Sequence, residues 1–205
     1  MVFKKRAVRL SINAKECLAT MRLGRVSEQP NSVSIFQDWR ENKGNFKSRL
    51  VMVFYRLAFL IQGNKILSIL FFWYLLIYKF IIGWVLNIGI SSKSVIGKGL
   101  RIQYGFGTVI GGQTVIGNSC NISQLTTIGN KIIENGTFSK SPIIGNNVDI
   151  GVNVTIIGDV RIGNNVVIGA GAVITKDIEN NCVVVGNPAV LLKKKYDLTS
   201  SYDIG

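Results

Sequence analysis

The chain contains no histidine. It therefore lacks the one side chain whose ordinary pKa lets it exchange a proton near neutral pH. Proton transfer would fall to carboxylates, phenols, amines or thiols, each tuned well away from its usual range. The three cysteines, Cys17, Cys120 and Cys182, have neither metal-site nor disulfide spacing, so no metal is expected. No Asp or Glu occurs between Asn42 and Ile133. Ten basic residues do: Lys43, Lys47, Arg49, Arg56, Lys65, Lys79, Lys93, Lys98, Arg101 and Lys131. With a net charge of +13, this field suits phosphates, anionic lipid headgroups or an anionic cofactor, or forms a solvated basic surface. No helix-turn-helix, RNA-recognition or zinc pattern accompanies it, so no nucleic acid partner is expected.

Whatever chemistry occurs must be held by a repeating scaffold. Isoleucines recur at six-residue steps: Ile110, Ile116, Ile122 and Ile128, then Ile144, Ile150, Ile156, Ile162, Ile168 and Ile174. Glycine follows most of them. A small or β-branched residue comes four positions after each anchor: Thr114, Cys120, Thr126, Val148, Val154, Val160, Val166 and Ala172. A six-residue period fits neither an α-helix nor an ordinary sheet. It predicts a left-handed parallel β-helix, each hexad supplying a short strand and a tight corner. Cys120 falls in a repeat position and reads as a small core residue.

Two interruptions frame the candidate binding face, because insertions on a solenoid become surface loops. From Ile102 to Ile110 the step is eight, which bulges the chain around Tyr104-Gly105-Phe106-Gly107. From Ile128 to Ile144 it is sixteen, which extrudes a loop over 130–142. Upstream, residues 1–33 read as a basic, poorly ordered extension, and 34–89 as a helical region. Phe36–Ile61 is expected to be helical and split near Gly44. Its apolar stripe would be Leu50, Val53, Phe54, Leu57, Leu60 and Ile61, with Lys47, Arg49 and Arg56 on other faces. Ile66–Ile90 is almost wholly apolar and interrupted by Lys79 and Gly83. It could span a bilayer, lie on a membrane surface or be buried against protein, and protein packing is the favoured reading. The β-helix is expected over 90–189, followed by a basic tail over 190–205. The absence of an apolar run close to the basic N-terminus and the cysteine usage predict a cytoplasmic setting, and the apolar Ile66–Ile90 segment leaves work at the inner face of the membrane open.

The helix sequence DWRENKGNFKSRLVMVFYRLA, the eight-residue step, the extruded loop, NVTIIGDVRIG, GAGAVIT and the closing VVVGNPAVLLKK together resemble the hexapeptide-repeat acyltransferases. The likeness runs from about Phe36 to Lys195. It is strongest to serine acetyltransferases and to O-acetyltransferases of capsule and colanic-acid loci. The resemblance implies a homotrimer that binds acetyl-CoA in a groove between neighbouring prisms. It also implies a histidine, often oriented by an acid, that deprotonates an acceptor hydroxyl.

Each position where the family carries that machinery holds something else here. Tyr104 stands at the histidine position, with Gln103 beside it. Gly89 stands at the helper acid and Ser141 at a loop histidine. Ser123-Gln124 replaces a further His or Arg-His pair. A tyrosine ordinarily titrates near 10, so acting at pH 7 would require about 4 kcal/mol of differential stabilisation. Tyr104 therefore reads first as an aromatic wall of the acceptor groove and second as a catalytic tyrosinate. Asp149, where capsule-type relatives can carry an acid, is a possible surrogate. Gln103, Tyr104, Phe106, Ser123 and Gln124 are the expected acceptor contacts.

The resemblance places CoA against Gly151, Asn153, Gly169, Ala170, Gly171, Ala172, Gly186, Asn187, Pro188 and Ala189, with Lys176, Lys193 and Lys194 meeting its phosphates. Two functions follow. One is an acetyl-CoA-dependent O-acetyltransferase acting on a hydroxyl of a capsule-type saccharide or of serine. The other is a catalytically silent trimeric scaffold that keeps the fold and CoA binding.

Overall fold

In the computed structural model, which describes residues 34–134 and 136–194, the isoleucine rhythm becomes three sheets, parallel except for the last strand, wound around one core. The first sheet stacks β1 (Gly89–Ile90), β4 (Val109–Ile110), β7 (Thr127–Gly129), β10 (Thr155–Ile157) and β13 (Val173–Ile174). The second stacks β2 (Val95–Ile96), β5 (Val115–Ile116), β8 (Ile143–Ile144) and β11 (Arg161–Ile162). The third stacks β3 (Arg101–Ile102), β6 (Asn121–Ile122), β9 (Asp149–Ile150), β12 (Val167–Ile168), β14 (Cys182–Val185) and β15 (Val190–Lys194). The architecture is a left-handed β-helix. Register aligns Ile102, Ile122, Ile150, Ile168 and Val184 in one inward column. These residues are buried, as are Thr114, Cys120, Thr126, Val148, Val154, Val160, Val166 and Ala172. Each buried aliphatic contributes roughly 1.5–3 kcal/mol of transfer free energy.

The corner after the second sheet shows why glycine is needed. A Cβ on Gly117 would sit 2.5 Å from the Gly145 carbonyl oxygen and 2.6 Å from Asn146 Oδ1. The space it would fill holds an asparagine ladder. The backbone amides of Lys98, Asn118, Asn146 and Asn164 donate to the side-chain oxygens of Asn118, Asn146, Asn164 and Asn180. Gly129 has nothing within 4 Å of an added Cβ. Gly117→Ala is thus expected to destabilise the fold by about 1–3 kcal/mol through overpacking, with Gly129→Ala near neutral. Paired denaturant titrations check this.

A solenoid leaves the strand edges of its first coil unpaired, and here the N-terminal region covers them. Asp38 Oδ1 accepts from the amides of Gly99 (2.7 Å) and Leu100 (3.1 Å). Asn42 donates to the Leu100 carbonyl and accepts from the Ile102 amide. Ser48 donates to the Ile102 carbonyl. The Arg56 guanidinium donates to the carbonyls of Ile96 and Gly97, both at 2.6 Å, and to Asp38 at 2.8 Å. The Tyr55 and Tyr78 hydroxyls donate to the carbonyls of Ser94 and Ile90.

This docking corrects the sequence expectation in three ways. Residues 35–44 form turns rather than helix, because Asp38 and Asn42 are committed to the coil edge. Helix α1 (Phe46–Gln62) begins only after its N-cap Asn45, whose side chain accepts from the Ser48 amide. Its buried face is Ser48, Val51, Met52, Tyr55, Arg56, Ala58 and Ile61, whereas Leu50, Val53, Phe54 and Leu57 are half-buried and Leu60 is exposed. Arg56 does not join the surface field, since it is buried and paired with Asp38.

The apolar run forms α2 (Lys65–Leu70), α3 (Phe72–Tyr78) and a π-helical turn (Lys79–Val85), then enters β1. No helix among the described residues is long and apolar enough to cross a membrane. At the other end, the basic tail expected from residue 190 begins as β15, antiparallel to β14. A turn through Gly186 (φ 95°) and the cis Asn187-Pro188 bond sends the chain back along the third sheet. Residues 1–33 and 195–205, including Cys17, lie outside the described residues.

Candidate functional site

Most of the expected site residues meet along one edge, the corner that follows the third sheet. Continuing the register past the strands stacks Gln103, Ser123, Gly151 and Gly169 into a column. Their amides donate in turn to the carbonyls of Ile122, Ile150, Ile168 and Val184. Beside them runs a left-handed column of Asn87, Gly107, Leu125, Asn153 and Gly171, all with φ between 52° and 70°. The amides of Gly107, Leu125, Asn153 and Gly171 donate to the carbonyls of Asn87, Phe106, Gln124 and Val152. The acceptor candidates thus occupy the upper end of the corner and the CoA candidates the lower.

The two extra residues of the eight-residue step are pushed out of this column. The Gly105 amide donates to the Gln103 carbonyl at 2.6 Å, closing a γ-turn centred on Tyr104 at φ 59°. A left-handed conformation costs a non-glycine residue roughly 1–2 kcal/mol. Gly105 tucks the turn back, where a Cβ would sit 2.8 Å from both Ile102 and Ile88. The Tyr104 side chain is left 73% exposed. It borders an open cleft of about 550 Å³ lined by Asn42, Lys43, Gly44, Asn45, Lys47, Arg101, Ile102 and Gln103. Phe106 is also exposed, with the Lys47 ammonium 5.9 Å from its ring centroid. Ser123 is buried, so its hydroxyl has little surface to offer an acceptor. Gln124 is half-buried. Ser141 is buried and donates to the Gly112 carbonyl.

Asp149 is brought elsewhere. It lies two strands from β3, accepting from Asn121 Nδ2 at 2.6 Å. At about 4.8 Å per strand it stands roughly 10 Å from Arg101. It lines a second cleft, of about 470 Å³, with Glu41, Gly99, Arg101, Gln103, Ser119, Cys120, Asn121, Asn147 and Val148. Tyr104 and Asp149 therefore do not share a cleft, although Arg101 and Gln103 border both. Glu41 is a carboxylate that sequence reasoning missed. It arrives because the 35–44 turns dock on the first coil, and no periodicity marks it. Burial pushes the Cys120 thiol up to about 11, which leaves it protonated near neutral pH.

On the cofactor side, Gly169, Ala170 and Gly171 present an almost side-chain-free corner, with Ala170 and Gly171 exposed. Gly151 and Asn153 lie one coil above. Such a surface fits a long, flexible ligand that reads backbone. Ala172 departs from expectation. It is fully buried, its amide donates to the Gly169 carbonyl, and its carbonyl accepts from Thr155. Inward alternation on the coil turns its methyl into the core. Lys176, Pro188 and Ala189 gather around a separate cleft of about 450 Å³ at the end of the coil, next to Gly186 and Asn187. Lys193 shares the outward column of Val183. Lys194 pairs with Glu179 at 3.3 Å.

Comparison with known proteins agrees with this architecture. Residues 141–176 match the family described as bacterial transferase hexapeptide (six repeats). The chain is 32% identical over 159 residues to the putative colanic acid biosynthesis acetyltransferase WcaB of Escherichia coli K12, covering 76% of this chain and 96% of that protein. It is 33% identical over 150 residues to serine acetyltransferase 4 of Arabidopsis thaliana, covering 72% of this chain and 40% of that protein. It likewise spans only 33% to 41% of the next curated serine acetyltransferases it matches. Among solved structures, soybean serine acetyltransferase complexed with serine superposes with a TM-score of 0.66 at 29% identity, covering 76% of this chain and 67% of that one.

Proposed function

Because the chain belongs to the hexapeptide-repeat acyltransferase family, we propose that it binds acetyl-CoA along the third corner and acylates a hydroxyl of a saccharide or of serine. The stacking of Gln103, Ser123, Gly151 and Gly169 in one column, running from the Tyr104 cleft to the exposed Ala170-Gly171 corner, carries this reading. A homotrimer would close the corner into a groove with a neighbouring prism. Among the described residues the Tyr104 cleft is walled by Lys43, Lys47 and Arg101 and by no carboxylate. It therefore favours an acceptor that itself bears a carboxylate or phosphate. Serine and an acidic or phosphate-linked saccharide both meet that demand.

When bound, acetyl-CoA supplies a thioester: the acceptor oxygen bonds to the acyl carbon, the C–S bond breaks, and the thiol leaves with the hydroxyl's proton. In this chain the Ala170-Gly171 backbone receives the donor, the three cations hold the acceptor's negative group, and Tyr104 walls its side. The cleft itself offers amides, ammonium groups, a guanidinium and a phenol. None of these is a base matched to neutral pH in its ordinary state. Turnover is accordingly slow. A second reading, a silent CoA-binding scaffold, is favoured by the same absence of histidine and by the separation of Tyr104 from Asp149.

Titration calorimetry with CoA tests the binding site. Ala170 is exposed, and its substitution to Glu puts a bulky carboxylate on the backbone corner where the donor would lie. Ala170→Glu is expected to weaken CoA by more than about tenfold, the factor that corresponds to 1.4 kcal/mol, with melting unchanged. Undiminished affinity in that variant would move the cofactor elsewhere.

A further inference from the structure

The surface between Lys65 and Val85 has an unusual composition. Its exposed residues are Ile66, Ile69, Leu70, Phe71, Phe72, Trp73, Leu76, Ile77, Phe80, Trp84 and Val85, with only Lys65 and Lys79 to break the apolar face. Trp73 and Trp84 are the most open of the aromatics here, at 73% and 84%. The stripe cannot simply roll inward, because the opposite side is pinned. Tyr74 donates to the Phe54 carbonyl, Tyr78 donates to the Ile90 carbonyl, and Ile82 is buried. Contiguous apolar surface of this kind marks an interaction site, whereas single surface hydrophobics need no explanation. Eleven large side chains exposed at 42% to 84% within one short stretch are of the first kind.

We propose that this face is a membrane-surface anchor that inserts its apolar side chains among the headgroups of an anionic bilayer. Its geometry suits lying flat. The helical pieces are six, seven and seven residues long and interrupted at Phe71, and none of them is long enough to cross a bilayer. Phenylalanine and tryptophan favour the interface, where an apolar body meets polar headgroups. Charge selects the occupant. No carboxylate occurs from Asn42 to Ile133, so the exposed Lys65 and Lys79 meet anionic headgroups without competition from an acidic neighbour in that stretch. A symmetric second copy on this face would instead bring the same uncompensated lysines together.

Sedimentation with vesicles of phosphatidylcholine alone and of phosphatidylcholine with 30% phosphatidylglycerol tests the anchor on the full chain. Binding is expected to the anionic vesicles, with about a fivefold gain in partitioning for each lysine near the surface. Tryptophan emission should shift to the blue and be quenched by brominated lipid. Trp73→Glu/Trp84→Glu keeps every basic residue and touches no buried contact. It is expected to lose at least about tenfold in binding while keeping the wild-type circular dichroism and CoA affinity. Three results would overturn the proposal: no partitioning of the wild type, partitioning of the double variant equal to wild type, or a smaller assembly in the double variant. The last would mean that another copy covers the face. Vesicle partitioning is read without acyl transfer, and CoA affinity is measured beside it, so the anchor and the catalytic reading fail separately.

Discussion

Tyr104→His is expected to raise CoA release in the presence of a suitable acceptor by about 10²–10⁴-fold, the range contributed by a well-placed general base. Three observations support so large a gain. Position 104 sits at the tip of a γ-turn and is exposed on the border of the cationic cleft. Its backbone is left-handed at φ 59°, a conformation in which histidine is enriched relative to most side chains, so the substitution suits the existing turn. Imidazole would also bring a side chain whose ordinary pKa lies near neutral pH to a cleft whose described lining holds no histidine or carboxylate. Tyr104→Phe serves as the control and should match the wild type. If the wild type is fast and Tyr104→Phe is inactive, the phenol is itself the base, and the role of the tyrosine as a wall is wrong.

Asp38→Ala is expected to cost about 3–5 kcal/mol, the penalty for leaving the other member of a buried ion pair uncompensated. That is a large part of the roughly 5–15 kcal/mol that holds a domain folded. Asp38 does more than neutralise Arg56: it also accepts the Gly99 and Leu100 amides. Arg56 in turn holds the carbonyls of Ile96 and Gly97. Removing the carboxylate therefore loosens both sides of the first coil where the N-terminal region docks. Arg56→Met should cost less than Asp38→Ala, because the carboxylate keeps its two backbone donors. Urea titrations followed by circular dichroism measure the difference. A loss under 1 kcal/mol in Asp38→Ala would show that the docking contributes little.

The coil was legible because its physics is periodic. Each inward isoleucine recurs at a fixed step, and each departure from the step appears as a bulge or loop where the sequence has one. The docking surface was not legible, because it is made by polar side chains answering backbone groups far away in sequence. Asp38, Asn42, Ser48 and Arg56 follow no hydrophobic period, and Arg56 reads by itself as one more surface cation. The same cause turned the buried face of α1 away from the Leu50–Leu57 stripe. Gln103, Tyr104, Gly151 and Gly169 could be grouped in advance because they occupy equivalent corner positions. Ala172 could have been excluded from the cofactor surface, because it stands four residues after Ile168 in the same repeat series as the core residue Cys120. Glu41 and Asp149 meet in a cleft that only the fold assembles, while Tyr104 looks into a different one.

The central claim is that the corner keeps its donor site while the cleft lacks a base. It is tested most directly by wild-type CoA release from acetyl-CoA, measured with serine and with acidic and neutral saccharides. The expected result is saturable CoA binding with slow, acceptor-dependent turnover, and turnover no faster than uncatalysed hydrolysis with every acceptor would favour the silent scaffold. Turnover in the ordinary enzymatic range, about 1–10³ s⁻¹, with any of these acceptors would contradict it.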